Sequence, residues 1–280
     1  MPMRDETLLN DRTRPPSNSE DMYAVTLLPL DEAKQKISFL YNIPIEFLYE
    51  MTEEQLAPYL IGLDQRELVA STTVIYKVIE NYDGTFTQIA STYEAFLQEQ
   101  KLLKYMPRFE SMSSNRDSNS WIEITTTLVS VSAIRGEVSG AFRWLTPTPG
   151  RFTDSVGLTI NNGTTVQNSA NGFHRVDNRR IPFFATWTAN TITHGHGYVR
   201  RAFNLPYAES SAERDFVHLR FQFYRNGLTS TSGRAIYTNQ RFFVLSNPIL
   251  QLTRTAVRFI VPVQFEFSYR HFDVLASHRW

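Results

Sequence analysis

The 280-residue chain contains no cysteine. That excludes a disulfide framework, a thiol nucleophile and any zinc site built on sulfur. It contains no apolar run of about 18 residues, so no membrane-spanning helix is expected. The opening stretch "MPMRDETLLNDRTRPPSNSED" has no apolar core of a leader, and no secretory signal is read there. Lysine is confined to the front: Lys34, Lys36, Lys77, Lys101 and Lys104 are followed only by arginines. Catalytic signatures are also missing, namely the G-x-S-x-G elbow, the phosphate-binding P-loop, the H-E-x-x-H helix and the dinucleotide glycine fingerprint. No catalytic residue and no cofactor is therefore expected.

What is present is apolar and aromatic. The counted apolar set makes up 42% of the chain and aromatics 13%, enough to bury a real core. The formal net charge of zero hides an asymmetry. Residues 1–107 hold 9 basic and 17 acidic residues, net −8, and residues 108–280 hold 19 basic and 11 acidic, net +8. Either the acidic front lies against the basic back, within one chain or between neighbours, or the basic part faces an anionic partner such as RNA. Two solvated faces would give the same counts.

Residues 1–30 read as an N-terminal arm, of which the polar residues 1–22 are extended or a disordered tail. Helical insertions are expected near 31–62 and 92–106. In the first, Asp31 is a capping candidate, and Thr52 with Gln55 forms a capping-box pattern ahead of "LAPYLIGL". Residues 71–91 read as a β-hairpin turning at Asp83-Gly84. From residue 120 the pattern is nearly all strand, in about seven or eight segments. "DFVHLRFQFYRNG" alternates cleanly, "NNGT" reads as a further hairpin turn, and no helical pattern separates the later strands. The longest alternation is "AVRFIVPVQFEFSYRH", apolar at every odd position from Val257 to Tyr269. As one strand it would span ~40 Å, with a bend or a break in pairing expected near Pro262. The fold class this implies is mainly β: an antiparallel two-sheet sandwich or jelly roll, residues 31–280 forming one domain.

His194-Gly195-His196 is the metal candidate, because i and i+2 side chains share one face of a strand; His174 or Asp177 would have to supply a third ligand. The Gly neighbours favour a plain loop. His218 falls opposite the apolar face of its strand and reads as a surface or interface histidine. The adjacent pairs Arg179-Arg180 and Arg200-Arg201, with Arg258 and Arg270 on the polar side of the long strand, are the candidate interaction residues, suited to carboxylates of a neighbouring chain or to phosphates. Aromatics crowd residues 140–272. "RRIPFFATW" and "QRFFVL" put adjacent phenylalanines on opposite strand faces, yet a two-layer domain buries one face of each sheet. The surplus needs a second cover, either the N-terminal helices or a neighbouring subunit.

The order of features resembles the capsid proteins of small icosahedral picorna-like RNA viruses. The stretch "LKYMPRFESMSSNRDSNSWIEITTTLVSVSAIRGEVSGAFRW" is similar to the helix, loop and strand pair that open the central part of their roll, and "VRFIVPVQFEFSYRHF" to its last strand. The likeness covers roughly residues 70–275 and rests on no invariant motif. It departs from many plant-virus coat proteins in lacking a polybasic arm. It implies an eight-stranded jelly roll with short N-terminal helices. It also implies a structural, non-enzymatic role in an icosahedral shell, with other capsid chains as partners. Genomic RNA on the inner surface and a host receptor are further implied partners, and the virion and the host cytoplasm during assembly are the implied locations. The alternative is a glycan- or receptor-binding sandwich module. It would stack ligands on Trp144, Trp187 or Tyr198 between the loops "TPTPGRFTDS" and "STSGRAIY". A third reading, a cupin-type enzyme, would need His174, His194 and His196 to share a metal.

Overall fold

The computed structural model describes residues 26–80, 86–105, 120–146, 153–177, 183–204, 214–225, 227–240, 249–252, 257–260 and 269–280. Three short helices come first: α1 (Leu30–Tyr41), α2 (Ile45–Glu50) and α3 (Glu53–Leu60). The capping box is formed at α3. Thr52 Oγ1 accepts from Gln55 N at 3.4 Å, and Gln55 Oε1 accepts from Thr52 N at 2.8 Å. Two otherwise orphaned backbone donors are thereby satisfied. At α1 the expectation is corrected. Pro29 occupies the N-cap and no side chain caps the helix; Asp31 lies inside the first turn, where it complements the helix dipole instead. α1 ends at Asn42, whose φ of 52° is left-handed and whose amide donates to Thr125 Oγ1 at 2.7 Å.

The strands follow. β1 (Glu67–Glu80) and β2 (Phe86–Ser91) pair antiparallel as the expected hairpin, its Asp83-Gly84 turn lying outside the described residues. α4 (Tyr93–Tyr105) leads to β3 (Ser120–Ser132) and β4 (Arg135–Trp144). Then come β5 (Thr153–Ile160), β6 (Thr164–Thr165), β7 (Asn171–Asp177), β8 (Phe183–Trp187), β9 (Thr193–Gly195) and β10 (Tyr198–Asn204). The last are β11 (Arg214–Tyr224), β12 (Ser230–Gln240), β13 (Ile249–Leu252), β14 (Val257–Ile260) and β15 (Tyr269–Arg279). One sheet runs β2-β1-β3-β4-β11-β7-β8, with β6 pairing β11 off this path, and a second runs β15-β12-β5-β10-β9. All pairings are antiparallel. The chain is a mainly-β sandwich. From residue 120 the described residues form 13 strands where seven or eight segments were expected, because two of those segments are divided between sheets and further strands such as β6, β7 and β10 carry no clear alternation.

Two such divisions correct the sequence reading. The "NNGT" turn does not close a hairpin. Gly163, at φ 102°, sends the chain from β5 in one sheet to β6, which pairs with β11 in the other. The 257–269 alternation is not one strand of one sheet. Val257–Ile260 pairs with β13, whereas Tyr269 onward pairs with β12; residues 261–268, with Pro262, lie outside the described residues.

Between the sheets lies an apolar core. Ile122, Ile124 and Leu128 of β3, Val138, Phe142 and Trp144 of β4, and Val217, Leu219, Phe221 and Phe223 of β11 meet Val156 and Leu158 of β5, Tyr237 of β12 and Phe272, Val274 and Ala276 of β15. The approach is close enough that β4 and β12 carry glycine where a side chain would collide. A Cβ on Gly140 would stand 2.8 Å from Leu158 Cδ2, and one on Gly233 2.7 Å from Val138 Cγ2. The opposite face of the larger sheet is also buried. Ile37, Leu40, Leu48, Leu56 and Tyr59 of the helices pack on Val129, Ala141, Phe173 and Phe216. Each fully buried aliphatic side chain there contributes on the order of 1.5–3 kcal/mol. On the larger sheet the second cover is thus the chain's own helical layer, which takes Phe173, Phe184 and Phe216, while Phe242 and Phe243 of "QRFFVL" lie outside the described residues.

Candidate functional site

Strand alternation decides what lies beneath the helices. On β4, Val138, Phe142 and Trp144 face the sandwich core, so Glu137, Ser139 and Ala141 face the helices. On β11, Val217, Leu219 and Phe221 face the core, so Phe216, His218 and Arg220 face the helices. The register sets Arg220 opposite Ser139, one diagonal from Glu137.

A buried polar cluster results. Arg220 Nη1 donates to both Glu137 oxygens at 3.2 and 3.1 Å, and Arg66 Nη1 donates to Glu137 Oε1 at 3.3 Å. Tyr41 OH accepts from both guanidinium groups. Arg220 Nε donates to Asn171 Oδ1 at 2.7 Å, and its Nη2 donates to Pro58 O. Arg66 Nη2 donates to Ile61 O at 2.9 Å. The Arg220 guanidinium lies over the Tyr59 ring at 4.4 Å. Tyr59 OH shares a hydrogen bond with His218 Nδ1 at 2.8 Å, and the His218 ring sits edge-on to Tyr41.

Charge follows from these contacts. Burial alone would raise the Glu137 carboxyl, but the two arginines outweigh it and hold it down at about 2. Burial pushes His218 down to about 3, and neighbouring Arg220 pushes in the same direction, so the imidazole is neutral. Burial pushes the Tyr41 phenol up to about 12. The cluster is therefore a fixed Arg–Glu–Arg triad carrying one net positive charge, sealed from solvent and bonded to carbonyls of the α3 segment. It fastens the helical layer to the sheet, and it presents no group to a substrate.

Over this layer, the solvent side of the helices is acidic and aromatic. Asp31, Glu32, Glu46, Glu50, Glu53 and Glu54 are all exposed. Phe39 on α1 is 70% exposed and Tyr49 on α2 is 51% exposed. Lys34 is buried with its Nζ over the Tyr49 ring at 4.5 Å, and Lys36 donates to Asp64 O. Glu50 bonds Arg175 at 2.6 Å.

The residues singled out from sequence are scattered. His194 is exposed on the edge strand β9, while His174 is buried on β7 of the other sheet, 3.8 Å from Asp215. No group of three or more His, Asp or Glu that could hold a metal occurs among the described residues, so the His174, His194 and His196 combination is corrected. Arg200 and Arg201 point to opposite faces: Arg201 turns back to donate to Thr191 O and lies 5.8 Å from the Trp187 ring centroid. Arg179 and Arg180 lie outside the described residues, as do the side chains of Arg258 and Arg270. Trp144 and Trp187 are core residues, and "STSGRAIY" belongs to β12 rather than a loop; both expectations for a stacking site are thereby corrected. His218 does lie opposite the sandwich core, as its alternation predicts, but the helices cover it completely. Sequence reading missed Glu137 and Arg220. The one signal for them was a charge on a strand otherwise closed on both faces.

No protein-family model matches the chain, and no curated protein matches it. Three solved structures show low similarity. One is described as the complete structure of manganese lipoxygenase of Gaeumannomyces graminis with a partial structure of zonadhesin of Komagataella pastoris. It matches at TM-score 0.29 and 8% identity, over 77% of this chain and 80% of that one. Another is a carbohydrate-binding module of the β-sandwich superfamily, at TM-score 0.24 and 8% identity, over 62% and 54%. The third is the collagen-binding domain of Erysipelothrix rhusiopathiae surface protein RspB, at TM-score 0.26 and 10% identity, over 58% and 66%. Similarity at this level leaves fold and function to be argued from the chain's own residues. No helix among the described residues is long and apolar enough to cross a membrane.

Proposed function

We propose that the chain is a structural subunit of an icosahedral virus capsid that assembles with identical or sister sandwich chains around an RNA genome. One observation carries the reading. The described ionisable groups that the fold gathers beneath its helices are used to hold layers together, while large apolar side chains stand outside the closed layer, Leu27 at 92% and Phe39 at 70% exposure. Such residues suit contact between chains better than catalysis. Short helices ahead of a β-sandwich agree with the capsid-like order of features in the sequence. In this role the protein is not an enzyme and resides in the virion, or in host cytoplasm during assembly.

Electron microscopy and sedimentation of the purified protein, alone and with sister chains, test the proposal. Closed shells or ring-sized oligomers are expected. A strictly monomeric protein under all these conditions would overturn it. The glycan-binding alternative has lost two of its three stacking platforms to the core, leaving half-buried Tyr198.

A further inference from the structure

Asparagine precedes glycine at three places, 162–163, 171–172 and 226–227. Glycine carries no side chain, so its backbone nitrogen meets the least hindrance in approaching the side-chain carbonyl carbon of the residue before it. Asn226 lies outside the described residues. The fold treats the other two pairs in opposite ways. Asn171 opens β7, and Gly172 is held between Leu219 of β11 and Trp187 of β8. The Asn171 carboxamide is fastened at both ends: Nδ2 donates to Ser169 O at 3.3 Å, and Oδ1 accepts from Arg220 Nε at 2.7 Å. Asn162 is exposed in the passage from β5 to β6, outside any strand, and its carboxamide makes no hydrogen bond among the described residues. The side chain that binds backbone at this bend is its neighbour's: Asn161 Oδ1 accepts from Ser232 N at 2.7 Å.

We propose that Asn162-Gly163 is a site of spontaneous deamidation, where an isoaspartyl link forms in the folded chain while Asn171-Gly172 is protected. Gly163 N attacks Asn162 Cγ. The Cγ–Nδ2 bond breaks, and Nδ2 leaves as ammonia with the proton that the Gly163 amide gives up. Water then opens the cyclic imide. Attack at Cγ leaves aspartate; attack at the Asn162 backbone carbonyl leaves isoaspartate, with the main chain running through the former side chain. Nothing is oxidised or reduced, and water is the one co-reactant. The position gives the change a consequence. A Cβ on Gly163 would stand 2.8 Å from Tyr224 O, and the next residue, Thr164, pairs with Tyr224. Isoaspartate lengthens the main chain by a carbon at this tight crossing. Thr165 follows: its Oγ1 donates to Gly195 O at 2.8 Å and accepts from Gly197 N at 3.0 Å. Gly197 O in turn accepts from Ile160 N at 2.9 Å. The link should therefore loosen β6 and the β9–β10 hairpin that carries exposed His194 and His196, and leave the helical layer in place. The reaction needs no partner chain and is independent of assembly.

The test uses the full chain, aged in mildly alkaline buffer at physiological temperature, both folded and in urea. The tryptic peptide of residues 152–175 holds both sites and is sequenced by tandem mass spectrometry, with electron-transfer fragmentation to tell isoaspartate from aspartate. In the folded chain Asn162 should convert about tenfold or more faster than Asn171, where attack first requires local opening. In urea the two rates should come together. An Asn162 that stays intact, or converts no faster than Asn171, overturns the proposal. So does a difference that persists in urea, which would belong to local sequence rather than to the fold. Amide hydrogen exchange on the aged chain should be faster at residues 164–165 and 195–198 than on fresh chain. Asn162→Gln, aged alongside, should keep its protection, and so should Asn162→Asp, which adds the charge without the longer link. Unchanged exchange in aged wild type would overturn the loosening of the hairpin. Loosening in Asn162→Asp would assign it to charge and overturn the role of the isoaspartyl link.

Discussion

Arg220 on β11 and Glu137 on β4 lie 3.1 Å apart, both all but closed from solvent, with Arg66 3.3 Å from the same carboxylate oxygen. The pair joins two adjacent strands to the helical layer that covers them. Removing one partner strands a charge in an interior that cannot solvate it.

Arg220→Ala should therefore cost about 3–5 kcal/mol, read as a fall in the urea midpoint. Replacing the whole triad with apolar residues of similar volume, as Arg66→Met/Glu137→Leu/Arg220→Leu, should recover much of that loss. A triple variant less stable than the single one would contradict this account of the cluster.

Acid should loosen the helical layer. The folded chain holds His218 at about 3, below its ordinary 6.5, so the unfolded chain takes up a proton that the folded chain refuses. Stability should then fall as pH drops below about 6.5, by on the order of 5 kcal/mol across the window down to about 3. Glu137, held at about 2 against an ordinary 4.5, adds stability that is present above 4.5 and lost as pH falls towards 2. Melting temperature against pH is the measurement. His218→Gln should flatten the profile between pH 6.5 and 4.5, and an unchanged profile would show that the acid sensitivity lies elsewhere.

Gly140→Val places two methyl groups where Leu158 Cδ2 and Ala235 Cβ already stand 2.8 and 2.9 Å from the first added carbon. Overpacking of this kind costs about 1–3 kcal/mol. A concurrent Leu158→Ala change, which opens space opposite, should return part of it in thermal denaturation.

Thr52→Ala removes one half of the capping box on α3 and should cost about 1 kcal/mol. Because α3 carries Tyr59 onto His218, the loss should appear first as faster amide hydrogen exchange in residues 52–60, ahead of any change in the strands.

Local chemistry made part of this protein readable in advance. The period-two alternation of β11 identified which of its residues face the sandwich core, and the Thr52–Gln55 spacing marked the start of α3. Adjacent phenylalanines on strands required a cover for a second sheet face, but two covers satisfied that requirement equally. The Val257–Tyr269 alternation misled because periodicity reports a face, not a neighbour. Its two described ends, Val257–Ile260 and Tyr269 onward, hydrogen-bond to different partners in different sheets.

Sequence by itself determined the mainly-β character, the short helices ahead of the strands and the surplus of buried aromatics, because propensity and periodicity act over a few residues. Tertiary structure alone decided that α1–α3 close the second face, and that Glu137 meets Arg66 and Arg220 across 71 and 83 residues of chain. The physical reason is register. Which charges come within about 3 Å is set by how strands pair across the sheet and by which layer lands on them. A single charged residue on a strand carries no record of either.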